Sequence, residues 1–377
     1  MRLLYVIDSL APGGAETSLV DMAPGLVGSG IDLHVLPLGH RLDLLGPLAD
    51  SGAEVHLRNG GAGRLASVRA VRAVARSIRA DLVHTTLFEA DVAGRLAAWT
   101  LGLPSSTSLV NDSYGASHYA ESNTLKLHLA RAADAATARP ARRFHAITAA
   151  IADRVAARIA IPRAKIEVIP RGRNPSRFPF RPVGARQATR AALGISPAAP
   201  VVLTVGRLEP QKGHPHLVRA ASLVAAEHRD LVVLIAGKDG RSADELRSLA
   251  SRQGVDIRFL GHRSDVAELM AASDVFCFPS EREGFGGVLL EAMASGCPIV
   301  ASDIPTSREV LWSGEGSVGI LCPPQPEAIA RSIEKVLHED TQSAAMAARA
   351  RKHFESHFTI DEVTSQMAAF FDASRIH

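Results

Sequence analysis

The chain has 377 residues, more than one domain usually holds, and we expect two domains with separate hydrophobic cores. Its 46% hydrophobic and 21% charged residues are typical of a soluble globular enzyme and exclude a disordered chain or an integral membrane protein. A net charge of only +3 indicates no nucleic-acid partner. No apolar run reaches membrane-spanning length, and Asp8 comes too early for a signal-peptide core, so we predict a cytoplasmic protein.

Short apolar runs alternate with helical patterns from the start of the chain. We predict strands at residues 3–7, 32–38, 82–85, 106–110, 143–147 and 166–169, with helices at 15–29 and 65–79 between them. This alternation predicts a parallel sheet that is covered by helices on both faces.

After residue 170, prolines and glycine interrupt the alternation and favour a connection between domains. A second alternation follows, with strands predicted at 201–205, 231–236, 256–260, 275–279 and 298–301. The expected architecture is therefore α/β, with two doubly wound parallel-sheet domains in tandem. Ligands of such sheets bind at the carboxyl ends of the strands, so a shared ligand is expected in the cleft where those ends face each other.

Arginines and cysteines have uneven distributions. Residues 131–186 hold thirteen basic residues against few acids, which indicates a solvated helix face with a phosphate-facing cleft or, alternatively, docking to an anionic membrane or a lipid-phosphate acceptor. The widely spaced Cys277, Cys297 and Cys322 lie in apolar surroundings and are predicted to be reduced core thiols rather than disulfides or zinc ligands.

Paired glycines, Gly13 and Gly14, follow the first predicted strand and precede a helix. They can let backbone N–H groups approach an anion at the positive end of that helix, although an ordinary strand-to-helix turn explains them equally well. The segment lacks the Gly-x-Gly-x-x-Gly pattern of dinucleotide binding, and the chain has no Walker sequence.

Two cations, Arg207 and Lys212, lie in the glycine- and proline-marked loop after the strand predicted at 201–205. A planar guanidinium and a mobile ammonium could together neutralise a diphosphate without a metal ion. By itself the pair is equally compatible with a solvated surface loop.

The strand predicted at 275–279 leads through Glu283 and three glycines into an apolar helix that carries Glu291. Glycines at a helix start allow close backbone contact with phosphate oxygens. A carboxylate inside an apolar helix needs hydrogen-bond donors, which the vicinal hydroxyls of a ribose would supply, and Glu283 could likewise accept hydrogen bonds from sugar hydroxyls. A capping acid and a solvated glutamate are the alternatives for this segment alone.

Taken in order, these motifs resemble the retaining glycosyltransferases of family 4, which have the GT-B fold of two Rossmann-like domains facing a central cleft. The resemblance spans nearly the whole chain. It is carried by Gly13-Gly14-Ala-Glu16, Gly206-Arg207…Lys212-Gly213, Phe259-Leu260-Gly261, and the pair Glu283 and Glu291 separated by seven residues.

The resemblance implies a nucleotide-sugar site. In it Arg207 and Lys212 bind the donor diphosphate, Glu291 holds the ribose, Glu283 addresses the sugar, and the loop around Leu260 touches the base. Gly14 would approach the phosphates from the opposite domain. Arg207, Lys212 and Glu283 are therefore the candidate catalytic residues. The remaining candidate donor residues are Gly13, Gly14, Leu260, Phe285, Gly286, Gly287 and Glu291.

The resemblance also implies an acceptor-binding domain at residues 1–172, a donor-binding domain at 173–356 and a terminal helix at 357–377 that crosses back onto the first domain. The helical spacing of Val363, Met367 and Phe370 fits such a helix. An amphipathic membrane helix is the alternative, which the acids of the segment disfavour.

The implied reaction is retaining transfer of a sugar from a nucleotide diphosphate sugar, with UDP- and GDP-sugars expected first, to an acceptor hydroxyl. The product would be a glycan, a glycolipid or a glycosylated natural product. Neither a metal ion nor another cofactor is expected. The protein is expected as a monomer or homodimer, with peripheral association at the inner membrane face through residues 131–186 as an alternative to a purely cytoplasmic location.

On the acceptor side two positions depart from the family pattern. Asn111 stands where relatives often carry a histidine near the reacting centre, and a neutral amide cannot act as a base. Asp112 or His118 could substitute, or a donor phosphate oxygen could take the proton. His84 stands alone where relatives often carry His-x-His, as a buried structural residue or an acceptor contact. With Glu16, these are the candidate acceptor-side residues.

Two alternative functions remain on the same architecture, because fold does not fix the reaction. One is a nucleotide-sugar epimerase or hydrolase, which would give an isomer or free sugar. The other is a non-catalytic nucleotide-sugar-binding protein, against which the retention of Glu283 and Glu291 argues.

Overall fold

A computed structural model describes residues 1–58, 61, 63–115 and 124–376 of the chain. The chain forms two compact units, one comprising Met1–Gly172 with Ile360–His377 and the other Arg173–Thr359. Within the described ranges, none of the helices combines the length and apolar character that a bilayer span requires.

The first unit contains a parallel sheet, of seven strands in the part of the chain that the structure describes. Their order is β3-β2-β1-β4-β5-β6-β7. The strands are β1 (Arg2–Ile7), β2 (Asp32–Pro37), β3 (Glu54–Val55), β4 (Leu82–Thr86), β5 (Ser105–Leu109), β6 (Arg143–Ala146) and β7 (Ile166–Val168). The helices are α1 (Gly14–Gly28), α2 (Leu45–Asp50), α3 (Arg64–Ser77), α4 (Phe88–Leu101), α5 (Thr124–Ala138), α6 (Ala149–Ile159) and, at the end of the chain, α15 (Ile360–Arg375).

Strand β1 shows how this sheet is covered on both faces. Leu3 and Ile7 pack in one hydrophobic cluster, whereas Leu4 and Val6 pack in another. Alternate residues of a strand point to opposite faces, so a strand that is apolar at both sets of positions must be buried on both sides.

Helix α15 supplies part of the first of these two clusters. Val363, Met367, Phe370 and Phe371 are each at most 1% exposed and pack together with Leu3. Their helical spacing places them on one face, and burying that face holds the end of the chain in the first unit.

The second unit contains a parallel sheet with the order β10-β9-β8-β11-β12-β13, again counting the described residues. Its strands are β8 (Val201–Val205), β9 (Val232–Ala236), β10 (Asp256–Gly261), β11 (Val275–Phe278), β12 (Ile299–Ser302) and β13 (Ile320–Cys322). Its helices are α7 (Ala185–Ala192), α8 (His214–Val224), α9 (Ala243–Ala250), α10 (Val266–Ala272), α11 (Gly287–Ser295), α12 (Pro305–Leu311), α13 (Pro326–His338) and α14 (Asp340–His357).

These two parallel sheets confirm the predicted doubly wound α/β architecture. Every predicted strand is present with its ends shifted by at most one residue. The sequence analysis missed β3 and β13, which have two and three residues and are too short to show a period. Cys277, Cys297 and Cys322 are buried free thiols, as predicted, and burial raises the pKa of Cys297 to about 12.

Candidate functional site

The loop after β8 carries two of the three candidate catalytic residues. It leaves the strand at Gly206, forms a short 3-10 turn at Pro210–Lys212, and enters α8 through Gly213, whose φ is +64°. Neighbouring strand ends crowd this loop, because a Cβ at Gly213 would overlap the carbonyl oxygen of Pro279 and one at Gly237 would overlap that of Gly206. Glycine at these positions therefore lets the loops that follow β8, β9 and β11 meet.

A direct ion pair joins the loops after β8 and β11. The Lys212 ammonium donates to Oε1 of Glu283, which also accepts from Ser280 Oγ at 3.1 Å. The Lys212 and Glu283 side chains are 22% and 13% exposed. Nearby, the Glu281 N–H donates to the Gln211 carbonyl at 3.0 Å. The structure thus brings together two residues that lie far apart in sequence and that the motifs had singled out.

Arg207 differs from Lys212 in its surroundings. Its side chain is exposed, and it makes no hydrogen bond or ion pair with the residues that the structure describes. Its backbone carbonyl faces Nε2 of buried His214 at 3.3 Å. Since a carbonyl only accepts, that nitrogen carries the proton, and burial lowers the pKa of His214 to about 4. His214, which the sequence analysis missed, anchors the backbone that presents the Arg207 guanidinium.

Helix α11 begins at Gly287, after Gly286 in the left-handed conformation at φ +76°. A Cβ on Gly287 would overlap the guanidinium of Arg173, so this cation lies against the start of the helix. Arg173 Nε donates to Glu291 Oε1 at 3.0 Å, with both side chains less than one-fifth exposed. Glu291 therefore has a protein donor that the sequence analysis missed, because the partner lies 118 residues earlier.

Two further candidate donor residues have distinct positions. Leu260 is half-buried near the end of β10, next to Gly261 at φ +65°, whose carbonyl accepts from the Gly237 N–H at 2.7 Å. The Phe285 side chain is buried and contacts Phe358 edge-on, with ring centroids 6.3 Å apart. A ligand contact at Phe285 would therefore fall to its backbone.

Substituting Gly213 by alanine should cost more stability than the same change at Gly254. The two φ values are +64° and +66°, so the backbone strain of alanine, about 1–2 kcal/mol, is matched. Only at Gly213 would the new Cβ overlap the Pro279 carbonyl, whereas the space around Gly254 is open. We expect Gly213→Ala to lose a further 1–3 kcal/mol, roughly the cost of overpacking, in urea unfolding. Equal losses would show that the loop can move aside.

In the first unit, helix α1 begins at Gly14 with Gly13 as its extended N-cap. A Cβ at Gly14 would overlap the Arg171 guanidinium, and one at Gly13 would overlap the Glu16 carboxylate. Glu16 is only 8% exposed. An arginine and a buried acid thus lie against this helix start, and Arg171 is a neighbour that the paired glycines did not indicate.

The other acceptor-side candidates differ in exposure and in hydrogen-bond partners. Asn111 is exposed, and His118 lies outside the described residues. Asp112 accepts from Arg154 Nη1 at 2.9 Å through one oxygen and from Arg158 through the other, so two guanidiniums hold this carboxylate. His84 has no exposed surface.

His84 belongs to a chain of buried hydrogen bonds that fixes its protonation. His145 Nε2 must donate to the Ile169 carbonyl at 2.8 Å, so its Nδ1 accepts from Ser108. The Ser108 oxygen then accepts from His84 Nε2, and His84 Nδ1 accepts from Ser106, both at 2.8 Å. This pattern of donors and acceptors requires both rings to be neutral, and burial keeps them so, because it lowers the pKa of His145 to about 4 and that of His84 well below its usual value.

These buried hydrogen bonds of His84 and His145 predict that the first unit loses stability in acid. His145 binds a proton near pH 6.5 in the unfolded chain but only near pH 4 in the folded one. Its contribution to the free energy of unfolding is therefore fully present above pH 6.5 and is lost as pH falls toward 4. The difference between the two pKa values limits this contribution to about 3 kcal/mol. Asp8 and Asp91, whose pKa values burial raises to about 6 and about 8, act in the opposite direction.

The measurement is therefore the difference in unfolding free energy between wild type and His145→Gln at each pH. A glutamine amide can still donate to Ile169 and accept from Ser108, but it does not titrate. We expect the variant to lose less stability than the wild type between pH 6.5 and pH 4. Parallel curves for the two proteins would contradict the assignment.

Asp8 is a further residue that the sequence analysis did not single out. It follows β1, and its carboxylate accepts from the Ala90 N–H at 2.7 Å in the first turn of α4. Burial outweighs these backbone donors and raises its pKa to about 6. A carboxyl with a raised pKa at the end of the first strand is typical of functional positions, whereas its hydrogen bond at the start of α4 is typical of a structural cap.

The arginines of residues 131–186 are mostly paired. Acidic partners at hydrogen-bonding distance hold those at positions 143, 154, 158, 163, 173 and 186. Arg142 donates to the carbonyls of Arg375 and Ile376, and Arg181 to that of Gly296. Most of these partners lie outside residues 131–186, which accounts for much of the local excess of arginine, and Arg131 and Arg139 are among the exposed remainder.

The fold and its strand-end loops define a GT-B protein, an architecture shared with solved glycosyltransferases. The Anabaena protein HepE in complex with UDP has a TM-score of 0.84 at 23% identity, over 99% of this chain and 100% of that one. A glycosyltransferase from Rickettsia africae has a TM-score of 0.80 at 18% identity, over 99% and 98%.

Family profiles match both halves of the sequence. Glycosyltransferase Family 4 matches residues 12–177, and Glycosyl transferases group 1 matches residues 185–353. Together the two matches span most of the chain and confirm the resemblance to the GT-B glycosyltransferases of family 4 that the motifs carry.

Curated relatives match over shorter regions. A D-inositol 3-phosphate glycosyltransferase of Jonesia denitrificans is 32% identical over 202 residues, 51% of this chain and 47% of that protein. A phosphatidyl-myo-inositol mannosyltransferase of Mycobacterium tuberculosis is 41% identical over 148 residues, 37% and 38% of the two chains. The chain thus spans about half the length, or less, of the curated relatives it matches.

Proposed function

We propose that the protein transfers a sugar, with retention of anomeric configuration and without a metal ion, from a nucleotide diphosphate sugar to an acceptor hydroxyl. The observation that carries this proposal is the Lys212–Glu283 ion pair, which joins two strand-end loops of the second unit. The matches to the two glycosyltransferase family models support the reaction class.

The proposed diphosphate ligand fits the charge of these loops. Arg207 offers an exposed guanidinium, and Lys212 is compensated by one carboxylate, so a second anion would find cationic partners without a metal. As the glycosidic bond breaks, negative charge grows on the departing diphosphate. Preorganised cations stabilise such charge most strongly in the transition state.

The acids serve the uncharged parts of the donor in this proposal. Glu283 is fixed by Lys212 and Ser280, which leaves its second oxygen to accept from a sugar hydroxyl. Glu291 would accept from the ribose through the oxygen that Arg173 Nε does not use. The proton of the acceptor would pass to a donor phosphate oxygen, because Asn111 cannot take it.

For the acceptor we propose a phosphorylated inositol, free or carried on a lipid. Relatives from Jonesia denitrificans and Mycobacterium tuberculosis carry names that specify D-inositol 3-phosphate and phosphatidyl-myo-inositol. A lipid-linked acceptor would bring the protein to an anionic membrane surface, where Arg131 and Arg139 offer exposed charge. Co-sedimentation of the full chain with phosphatidylinositol vesicles, with phosphatidylcholine vesicles as control, tests that part.

The reaction is tested by incubating the protein with UDP- and GDP-sugars and inositol 3-phosphate, with EDTA present, and following the products by NMR. Sugar joined to the acceptor in the donor's anomeric configuration supports the proposal. A free sugar or epimerised donor would instead indicate a hydrolase or epimerase. Donor binding without any product would indicate a non-catalytic protein.

The nucleotide base of the donor can be identified by a binding measurement that does not depend on turnover. A nucleoside diphosphate at roughly one hundred times its dissociation constant raises the free energy of unfolding by about 2.7 kcal/mol. Thermal unfolding in UDP, GDP, ADP and TDP should therefore identify the base, and the absence of any shift would contradict a diphosphate site.

A further inference from the structure

A cluster of metal-ligand side chains lies at the β2–β3 edge of the first sheet, apart from the strand-end loops. Within the described residues, His34, Glu54 and His56 form a group whose ligand atoms all lie within 4.8 Å of one another. We propose that these three side chains bind a divalent late transition metal ion, with zinc as the representative.

Strand register explains why the cluster forms. His34 on β2 is paired with Glu54 on β3 in parallel register, and the His56 N–H donates to the Val35 carbonyl at 2.8 Å. Residues two apart on a strand share a face, so Asp32 and His34 project beside Glu54 and His56. Two short stretches of backbone thus deliver two imidazoles and two carboxylates to one surface.

The separations between the ligand atoms are close to those around a tetrahedral ion. Zinc bonds of about 2.0–2.2 Å at the tetrahedral angle place neighbouring ligand atoms roughly 3.3–3.6 Å apart. His34 Nδ1 lies 3.4 Å from Glu54 Oε2, and His56 Nε2 lies 3.5 Å from Glu54 Oε1. The two imidazole nitrogens, His34 Nδ1 and His56 Nε2, are hydrogen-bonded at 3.0 Å and would move slightly apart to admit the ion. Nitrogen and carboxylate ligands of this kind suit zinc and its neighbours better than calcium or magnesium.

The surroundings of His34 complete the arrangement. Its other nitrogen, Nε2, lies 3.3 Å from Asp32 Oδ1, the carboxylate-to-histidine contact that orients metal-bound imidazoles. The His34 side chain is 7% exposed, which holds the ring in place, whereas His56 and Glu54 are 19% and 65% exposed and leave a path for the ion. The expected site has three protein ligands and one open position.

The position of the cluster in the sheet indicates a structural role for the bound ion. Strand β3 is a two-residue edge strand, and Asp32 pairs with Arg2 at the start of β1. The cluster therefore begins at the amino ends of the strands, opposite the edge where ligands of such sheets bind. A bound ion would clip the edge strand to β2, and this inference is independent of the proposed glycosyl transfer.

The test measures zinc bound by the metal-stripped 377-residue chain, using equilibrium dialysis and metal analysis, with cobalt(II) absorption reporting the coordination geometry. We expect one ion per chain and a four-coordinate cobalt spectrum. Glu54→Gln and His56→Ala, both at solvent-accessible positions, should weaken zinc binding by at least the roughly 10- to 100-fold that loss of an outer partner costs. Asp32→Asn should weaken it within that range.

The matched control is His338→Ala, which removes a histidine 3.4 Å from Glu227 on the second unit. It should bind zinc as the wild type does. Unchanged binding in His56→Ala, or no stoichiometric binding in the wild type, would overturn the proposal and leave a hydrogen-bonded histidine pair. Thermal unfolding of each apo-variant shows whether it has folded.

Discussion

Lys212→Ala should lower turnover roughly a hundred- to a thousandfold, the range for losing one preorganised donor to transition-state charge. Its ammonium contacts Glu283 and is the cation of the loop most firmly placed by a partner. We expect Arg207→Ala to give a loss of the same order through its exposed guanidinium. The measurement is steady-state kinetics with the donor that the thermal screen identifies.

Controls separate catalysis from folding and from the ion pair itself. Lys335→Ala removes an exposed lysine on α13 of the same unit and should leave turnover unchanged. If Lys212 acted only by holding Glu283, Lys212→Ala would cost no more than Glu283→Gln, and the double variant would add nothing. Near-normal turnover in a folded Lys212→Ala protein would remove the residue from the proposed role.

The elements that could be predicted from sequence are those with local causes. Strand β8 occurs at the predicted residues, because a buried parallel strand is a mostly apolar run between turn residues, and four of the five residues of β8 are apolar. Gly213 and Gly286 likewise show where the backbone must adopt a left-handed conformation. Short edge strands such as β3 carry no such pattern, since pairing with a neighbour rather than local preference makes them strands.

The partners of the candidate site residues could not be predicted in the same way. Glu291 was expected to need donors, and Arg173 supplies one from the far side of the sequence. Asp112 was a candidate base, and the two guanidiniums that hold its oxygens, those of Arg154 and Arg158, come from more than forty residues later in the sequence. Residue types and spacing gave the chemical requirement in each case, whereas only tertiary structure supplies the atom that meets it.

Asp134→Asn should destabilise the first unit by about 3–5 kcal/mol, the usual cost of breaking a buried ion pair from one side. Asp134 pairs with Arg95, which has no exposed surface, and accepts from the Tyr114 hydroxyl at 2.8 Å. Burial raises the pKa of neighbouring Asp91 to about 8, so that acid is mostly protonated at neutral pH. Asp134 is therefore the main countercharge of Arg95.

Asparagine keeps the size and an acceptor for Tyr114 but removes the charge, so the loss measures an uncompensated Arg95. Asp153→Asn is the matched control, because Asp153 also pairs with an arginine, Arg163, but both side chains are at least 44% exposed. That pair should contribute at most about 1 kcal/mol.

Hydrogen exchange of the α4 amides measures the stability of the first unit alone. Equal small losses in both variants would show that Asp91 ionises to replace Asp134, and the buried charge would then have two interchangeable partners.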